Sequence, residues 1–340
     1  MKAIAKTGPQ PGVELVDVDE PRPGPGEVLV EVKACGICGT DLHVYLSELG
    51  FERRLTYPRI LGHEPAGIVR ELGRDVDGFR PGDHVVGEPH GACGRCAVCR
   101  EGRPEFCDRI PIMGGQRDGA LAAFVAAPTE CLRHVPSDLE FIRASLLEPL
   151  SAGVHAVDIS RLKPGDAAVV LGPGPIGLMT AMAAHAAGAA TIVVTGLGAD
   201  QGRLEMAERL GFRTVNVESE QPIQRIQELV GARGAEVVFD ATGALPDVHL
   251  IVRRGGRVVQ MGWPRRAPSL DEVTQLFLRS VTLVPLRWRP EAIWPRVIDL
   301  VTSGRIDPRP LVTHELPLAD GIRGFELLAN RTAMKVMMIP

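Results

Sequence analysis

The chain has 340 residues, enough for about two domains at roughly 150 residues each, and a chain of this length needs no disulfide framework to bury a core. Its 38 Lys and Arg against 42 Asp and Glu leave a net charge of -4, which excludes a basic footprint for nucleic acid and a polybasic membrane anchor. A hydrophobic fraction of 45% with a charged fraction of 24% excludes a disordered chain.

The first residues, MKAIAKTGPQ, hold lysines but no apolar run, so no signal peptide is expected and the expected location is the cytoplasm. Seven cysteines in that reducing compartment read as ligands or core thiols. Residues 1–150 are rich in Gly and Pro. Short β-type runs (Val28–Val32, Ile68–Val69, His84–Val86) stand between turns such as Pro23-Gly24-Pro25-Gly26 and Pro81-Gly82-Asp83, which predicts an irregular β-barrel without lasting helical periodicity.

From about Lys163 the texture changes. Apolar runs at Ala167–Leu171, Thr191–Thr195, Glu236–Asp240, Gly256–Gly262 and Ser280–Leu286 predict strands. Helical patterns at Ile176–Ala187, Arg203–Leu210 and Ile223–Val230 separate them. That alternation predicts crossover units and a parallel sheet. Ala167 to Ala199 carries no Asp, Glu, Lys or Arg and so imitates a membrane span, but Gly172-Pro173-Gly174-Pro175 would break such a helix. After residue 287 the alternation stops. A helix near Ala292–Ser303 and β-type ends at Leu311–Leu316 and Lys335–Ile339 suggest a return to the first domain. The expected organisation is one domain from 1–150 and 288–340, with a second inserted at 151–287.

Cys93-x2-Cys96-x2-Cys99-x7-Cys107 places four thiols on one Gly-containing loop. Zinc favours a tetrahedron of thiolates, and Gly94 and Gly102 let the backbone wrap tightly. Four protein ligands leave no open position, so this site is expected to be structural. Cys38, His63, Glu64 and Glu148 are a second set of zinc-type donors, but their spacing leaves open whether they converge. Leu171-Gly172-Pro173-Gly174-Pro175-Ile176-Gly177 fits G-x-G-x-x-G after a strand and before a helix, the context in which it cradles a pyrophosphate. The acidic residue expected to bind ribose at the end of the next strand is replaced by Gly196. An adenosine 2'-phosphate then meets no repulsion there and Arg203 is placed to pair with it, while Asp200 offers a carboxylate for ribose instead. The expected cofactor is NAD or NADP, with a slight lean to NADP.

These features, in this order, resemble the zinc-containing medium-chain alcohol dehydrogenases, in particular the sorbitol (polyol) and threonine dehydrogenase branch. The resemblance rests on GICGTDLH at 36–43, GHE at 62–64, the four-cysteine loop, EPLSAGVHA at 148–156 and the glycine turn at 172–177. It implies an α/β fold in which a GroES-like β-barrel catalytic domain carries an inserted Rossmann domain with a doubly wound parallel sheet. It also implies a catalytic zinc on Cys38 and His63, with Glu64 and Glu148 as exchangeable carboxylates, and a proton relay through Thr40 and His43. The structural zinc falls to Cys93, Cys96, Cys99 and Cys107. Cofactor contacts fall to Gly172, Gly174, Pro175, Ile176, Gly177, Gly196, Arg203 and Thr242. Cys35 and Cys131 match no ligand position and are assigned to the core.

The activity so implied is zinc-dependent hydride transfer between a secondary alcohol of polyol type and NAD(P), by a homotetramer or dimer without nucleic-acid or membrane partners. Glu148 stands where alcohol dehydrogenases of the older branch have cysteine, which favours the polyol and threonine branch. The segment Val44-Tyr45-Leu46-Ser47-Glu48-Leu49 lacks the tryptophans of threonine enzymes, whereas Gly87-Glu88-Pro89-His90 resembles their loop. Oxidation of an amino alcohol such as L-threonine is therefore the first alternative. A zinc-free quinone or enone reductase and a non-enzymatic nucleotide-binding protein are the others.

Overall fold

The computed structural model describes residues 1–340 apart from Glu52, Arg54, Asp108, Glu220, Pro246 and Trp288. The domain boundary expected at 288 lies outside the described residues. Backbone contacts divide the chain into two units. One comprises Met1–Glu148, Pro290–Thr302 and Asp307–Pro340, and the other Pro149–Arg289 with Ser303–Ile306.

The first unit begins with β1 (Lys2–Lys6), β2 (Glu14–Asp17), β3 (Glu27–Gly36), β4 (Arg59–Ile60), β5 (Glu64–Leu72), β6 (His84–Gly87), β7 (Phe124–Pro128) and β8 (Leu132–His134). β1 is the centre of a small antiparallel sheet with β2 and β4. β3 carries the larger one, pairing antiparallel with both β5 and β7. Along β3 Val28, Val30 and Val32 alternate into a core with Ile4, Leu61, Val69, Val85, Leu121 and Phe325, and Cys35 joins it after a shift in register with β5.

The second unit contains β9 (Ala167–Leu171), β10 (Thr191–Gly196), β11 (Arg213–Asn216), β12 (Ala235–Asp240), β13 (Val252–Gln260) and β14 (Thr282–Pro285). They form one parallel sheet in the order β11-β10-β9-β12-β13-β14, which reverses direction beside β9 and so creates a switch point at its carboxyl end. β9 is apolar throughout because parallel strands are covered on both faces. β13 begins four residues before the expected Gly256, since Gly255 and Gly256 lie within the strand beside a shift in its register with β12.

The chain returns to the first unit with β15 (Val312–Pro317) and β16 (Lys335–Ile339), which extend the large sheet as β15-β16-β3. A helix at Leu147–Ser160 has no counterpart in the expected elements. Only Asp158 along it is exposed, so it lacks the polar stripe by which a surface helix is recognised. Among the described residues, no helix is long and apolar enough to cross a membrane.

Candidate functional site

Strand register assembles the first site. β3 pairs with β5 so that Gly36 faces Glu64 and Cys35 faces Pro65. The residues just past β3 therefore meet those entering β5, and Cys38, His63 and Glu64 bring one ligand atom each to within 4.8 Å of one another. β16 pairs with the other edge of β3, Met337 opposite Gly36, which delivers Lys335 to the same place.

Asp41 organises this set. It lies in the first turn of the helix Gly39–Leu46, whose N-cap is Cys38. Its carboxylate accepts hydrogen bonds from the backbone N–H of Cys38 at 3.0 Å and of Gly62 at 3.1 Å, and Oδ1 lies 3.6 Å from His63 Nδ1. One buried carboxylate thus ties both candidate ligand segments together and fixes the imidazole orientation. Burial disfavours charge on both partners. Their attraction nevertheless holds the Asp41 carboxyl below its usual range and lifts His63 well above its own, with the neighbouring Cys38 adding to the latter. Local spacing did not reveal Asp41, although GICGTDLH contained it.

Lys335 is the second residue missed, for a topological reason: it joins Ile37 across 298 residues of chain. Its ammonium donates to the Ile37 carbonyl at 3.0 Å and pairs with Glu64 Oε2, both side chains being almost wholly buried. Gly36 makes room for that pair, because a Cβ there would fall 2.1 Å from Glu64 Oε2 and 2.8 Å from Lys335 Cε. Burial raises the Glu64 carboxyl and the Glu148 charge adds to this, against the pull of Lys335. Glu64 Oε1 is buried and has no hydrogen-bond partner among the described residues. A thiol, an imidazole and an orphaned carboxylate oxygen are the donors that a catalytic zinc takes from a protein while keeping a fourth position open. The residues fit the ion. Glu148 is buried close by but stands outside the three-donor group.

Thr40 and His43 lie on the helix Gly39–Leu46, three residues apart and so on one face. His43 Nδ1 is 3.2 Å from Glu48 Oε2, and its ring stacks on Phe51 at 5.9 Å. Glu88 is buried and pairs with Arg133 at 2.5 Å, while His90 is half-buried.

The four thiols of Cys93, Cys96, Cys99 and Cys107 also lie within 4.8 Å of one another. Cys96 Sγ is 3.3 Å from Cys99 Sγ and 4.0 Å from Cys107 Sγ. A tetrahedron of bonds of about 2.3 Å places sulfurs about 3.8 Å apart, so this cluster also fits zinc. Gly94 and Gly102 have φ of +67° and +80°, the left-handed backbone that the loop requires. Hydrogen bonds from the backbone of Arg95 and Cys96 bring the Cys93 thiol down to about 6, whereas burial and its neighbours push Cys99 up to about 12. Cys35 and Cys131 are core thiols that burial keeps protonated.

In the second unit the turn from β9 enters the helix Pro175–Ala186, with Gly174 as N-cap and Pro175 in the first turn. Gly172 has φ +98°, and a Cβ on Gly177 would fall 2.0 Å from the Gly172 carbonyl oxygen. Around Gly174 a Cβ would meet nothing within 4 Å, so the backbone is open there to an approaching pyrophosphate. The donors of Ile176 and its neighbours in the helix's first turn face that opening by virtue of their position. Thr242 borders the turn, since a Cβ on Gly172 would lie 2.9 Å from Thr242 Cγ2. Asp240, at the end of β12, holds Thr242 through its N–H at 2.9 Å and its hydroxyl at 2.5 Å. This cradle fits a dinucleotide. Arg203 Nη1 lies 3.9 Å from Asp200 Oδ1, so the arginine and the carboxylate weighed as rivals for the ribose end are partners of each other.

Residues 24–137 match the family described as the alcohol dehydrogenase GroES-like domain, and residues 175–303 the family described as zinc-binding dehydrogenase. The L-threonine 3-dehydrogenase of Bacillus velezensis is 34% identical over 345 residues, covering 100% of this chain and 99% of that protein. The sorbitol dehydrogenase of Halalkalibacterium halodurans is 32% identical over 346 residues, with coverage of 100% and 99%. Among solved structures, a zinc-binding dehydrogenase from Sinorhizobium meliloti bound to NADP is similar at a TM-score of 0.89 and 32% identity, covering 100% of this chain and 99% of that one.

Proposed function

The chain belongs to the alcohol dehydrogenases that join a GroES-like domain to a zinc-binding dehydrogenase domain, and from that premise we propose a polyol-type secondary alcohol as substrate and Cys38, His63 and Glu64 as the ligands of its catalytic metal. It is an oxidoreductase acting on CH–OH donors with NAD(P). The observation that carries the site is the three-donor group in which Glu64 Oε1 is buried without a partner.

When bound, zinc supplies a Lewis acid that acidifies the alcohol hydroxyl, and NAD(P) supplies the hydride acceptor. The chain's own residues do the rest. Asp41 keeps the His63 ring turned for ligation, and Lys335 neutralises Glu64 through its Oε2. Thr40 is the group placed to accept the alcohol proton, and His43, steadied by Glu48, the group that exchanges protons with solvent. Glu148 serves as an outer carboxylate whose charge reaches Glu64 and Lys335. Cys93, Cys96, Cys99 and Cys107 hold a second, structural zinc.

The similar proteins are named for L-threonine and for sorbitol, both secondary alcohols flanked by polar groups. We favour the polyol class over threonine because residues 44–49 lack the expected tryptophans. All seven cysteines are free thiols, which suits a reducing compartment such as the cytoplasm. Leu270, Val273, Phe277 and Leu278 are exposed on the one helix that precedes β14, the outermost strand of its sheet, which supports a homo-oligomer formed through these surfaces.

Reduced-nicotinamide absorbance with a panel of polyols, L-threonine and simple secondary alcohols, in NAD and in NADP, tests the substrate class. Cys38→Ser should abolish turnover and release one of about two zinc ions per chain while the far-UV circular dichroism stays unchanged. Full activity in that variant overturns the site.

A further inference from the structure

The turn that follows β10 decides how the adenosine end of a dinucleotide is read, and here its construction is unusual. In sheets of this strand order an acidic residue at the end of the second strand binds the ribose. At Gly196 that is sterically closed. A Cβ at this position would lie 2.9 Å from Pro173 Cγ and 3.0 Å from Leu204 Cδ2. Pro173 belongs to the glycine turn itself, so a side chain at 196 would have to displace part of the pyrophosphate cradle.

A carboxylate reaches the same turn from the neighbouring strand. β10 and β11 run parallel with Gly196 opposite Asn216, and the N–H of Val217 donates to the Gly196 carbonyl at 2.9 Å. Glu218 follows directly. Its Oε2 accepts the backbone N–H of Gly198 at 2.7 Å, and its own N–H donates to Asn216 Oδ1 at 2.9 Å. A Cβ at Gly198 would lie 3.0 Å from that oxygen, a tight contact that glycine avoids. The exposed Glu218 carboxylate is therefore held against the turn, with its second oxygen available to accept from a ribose hydroxyl.

The groups that a 2'-phosphate would use are engaged. The N–H of Leu197 donates to Asp200 Oδ2 at 3.2 Å, that of Gly198 donates to Glu218, and Arg203 lies beside Asp200. A phosphate placed there meets two carboxylates with its nearest backbone donors already taken.

We infer that Glu218 is the ribose-binding carboxylate of this chain, supplied from β11 because Pro173 closes position 196, and that it makes the site select NAD over NADP. This reverses the lean drawn from Gly196 alone, and it rests on the reading that the glycine turn holds a nicotinamide dinucleotide.

Calorimetric titration of the purified protein with ADP-ribose and with its 2'-phosphate tests the inference without turnover. ADP-ribose should bind at least about tenfold more tightly. Glu218→Gln, an exposed and nearly isosteric change, should reduce that ratio by about tenfold, and Glu218→Lys should invert it. Tighter binding of the 2'-phosphate by the native protein, or a ratio unmoved in Glu218→Gln, overturns the inference and leaves the dinucleotide reading intact. Binding of neither ligand overturns both.

Discussion

Replacing Lys335 by Met tests whether the buried pair beneath the three-donor group is a working part of it. Lys335 and Glu64 have side chains only 2% and 1% exposed, so water neither screens their attraction nor replaces it when one partner goes. Methionine keeps the volume and removes the ammonium, leaving Glu64 Oε2 without its donor beside the charge of Glu148. Breaking a buried pair from one side costs about 3–5 kcal/mol, most of it the penalty of the stranded charge. In a domain of 150–250 residues each kcal/mol moves the melting point by about 2–4 °C, so a loss of about 6–20 °C is expected. Glu64→Gln should also destabilise, by stranding Lys335. The double variant strands neither group, and should recover at least about 2 kcal/mol relative to the sum of the single changes. Denaturant unfolding of all four proteins at one fixed zinc concentration measures that coupling. A coupling within about 0.5 kcal/mol of zero would falsify the claim that the pair acts as a unit.

Asp41→Asn keeps the size of the side chain but removes the charge that orients His63 and sets an NH2 donor against one of the two backbone N–H groups from which it accepts, and should lower zinc affinity at the three-donor site by about 10–100-fold, read by competition with a chelating dye. Cys96→Ser should release the other zinc. With free ion at a thousand times its Kd, that site contributes about 4 kcal/mol, so the melting point should fall by about 8–16 °C. An unchanged melting point with lost activity would mean that the two sites have exchanged roles. Phe277 is 79% exposed, and Phe277→Glu should shift the sedimentation coefficient to a smaller species if its helix covers a partner copy.

The readable parts of this chain are those whose physics is local. The four cysteines and the glycine turn each span few residues and impose their own backbone, with Gly94, Gly102 and Gly172 at positive φ where the loops need it. Over 167–240 the strands β9, β10 and β12 are readable because they are buried almost throughout, whereas β11 is not, since only Val215 along it is buried and Arg213 is exposed. The helix Leu147–Ser160 escapes because burial all round erases its periodicity. Convergence of Cys38 with His63, left open by spacing, is a consequence of how β3 registers on β5.

Residue 196 shows what a reading from charge alone leaves out, namely packing. A missing carboxylate makes room for a phosphate in terms of charge, but a side chain at that position also needs space. The glycine has a steric cause instead: the Pro173 ring occupies the space, and Pro173 is set by the turn that receives the pyrophosphate. A substitution that one part of a site imposes on another cannot be interpreted from the substituted residue alone. Lys335 follows the same logic at longer range, because Gly36 is small to admit an ion pair whose two members enter from β5 and β16. In both places a glycine marks where a neighbouring group needs the space, and what it admits is visible only once the neighbouring strand is in register.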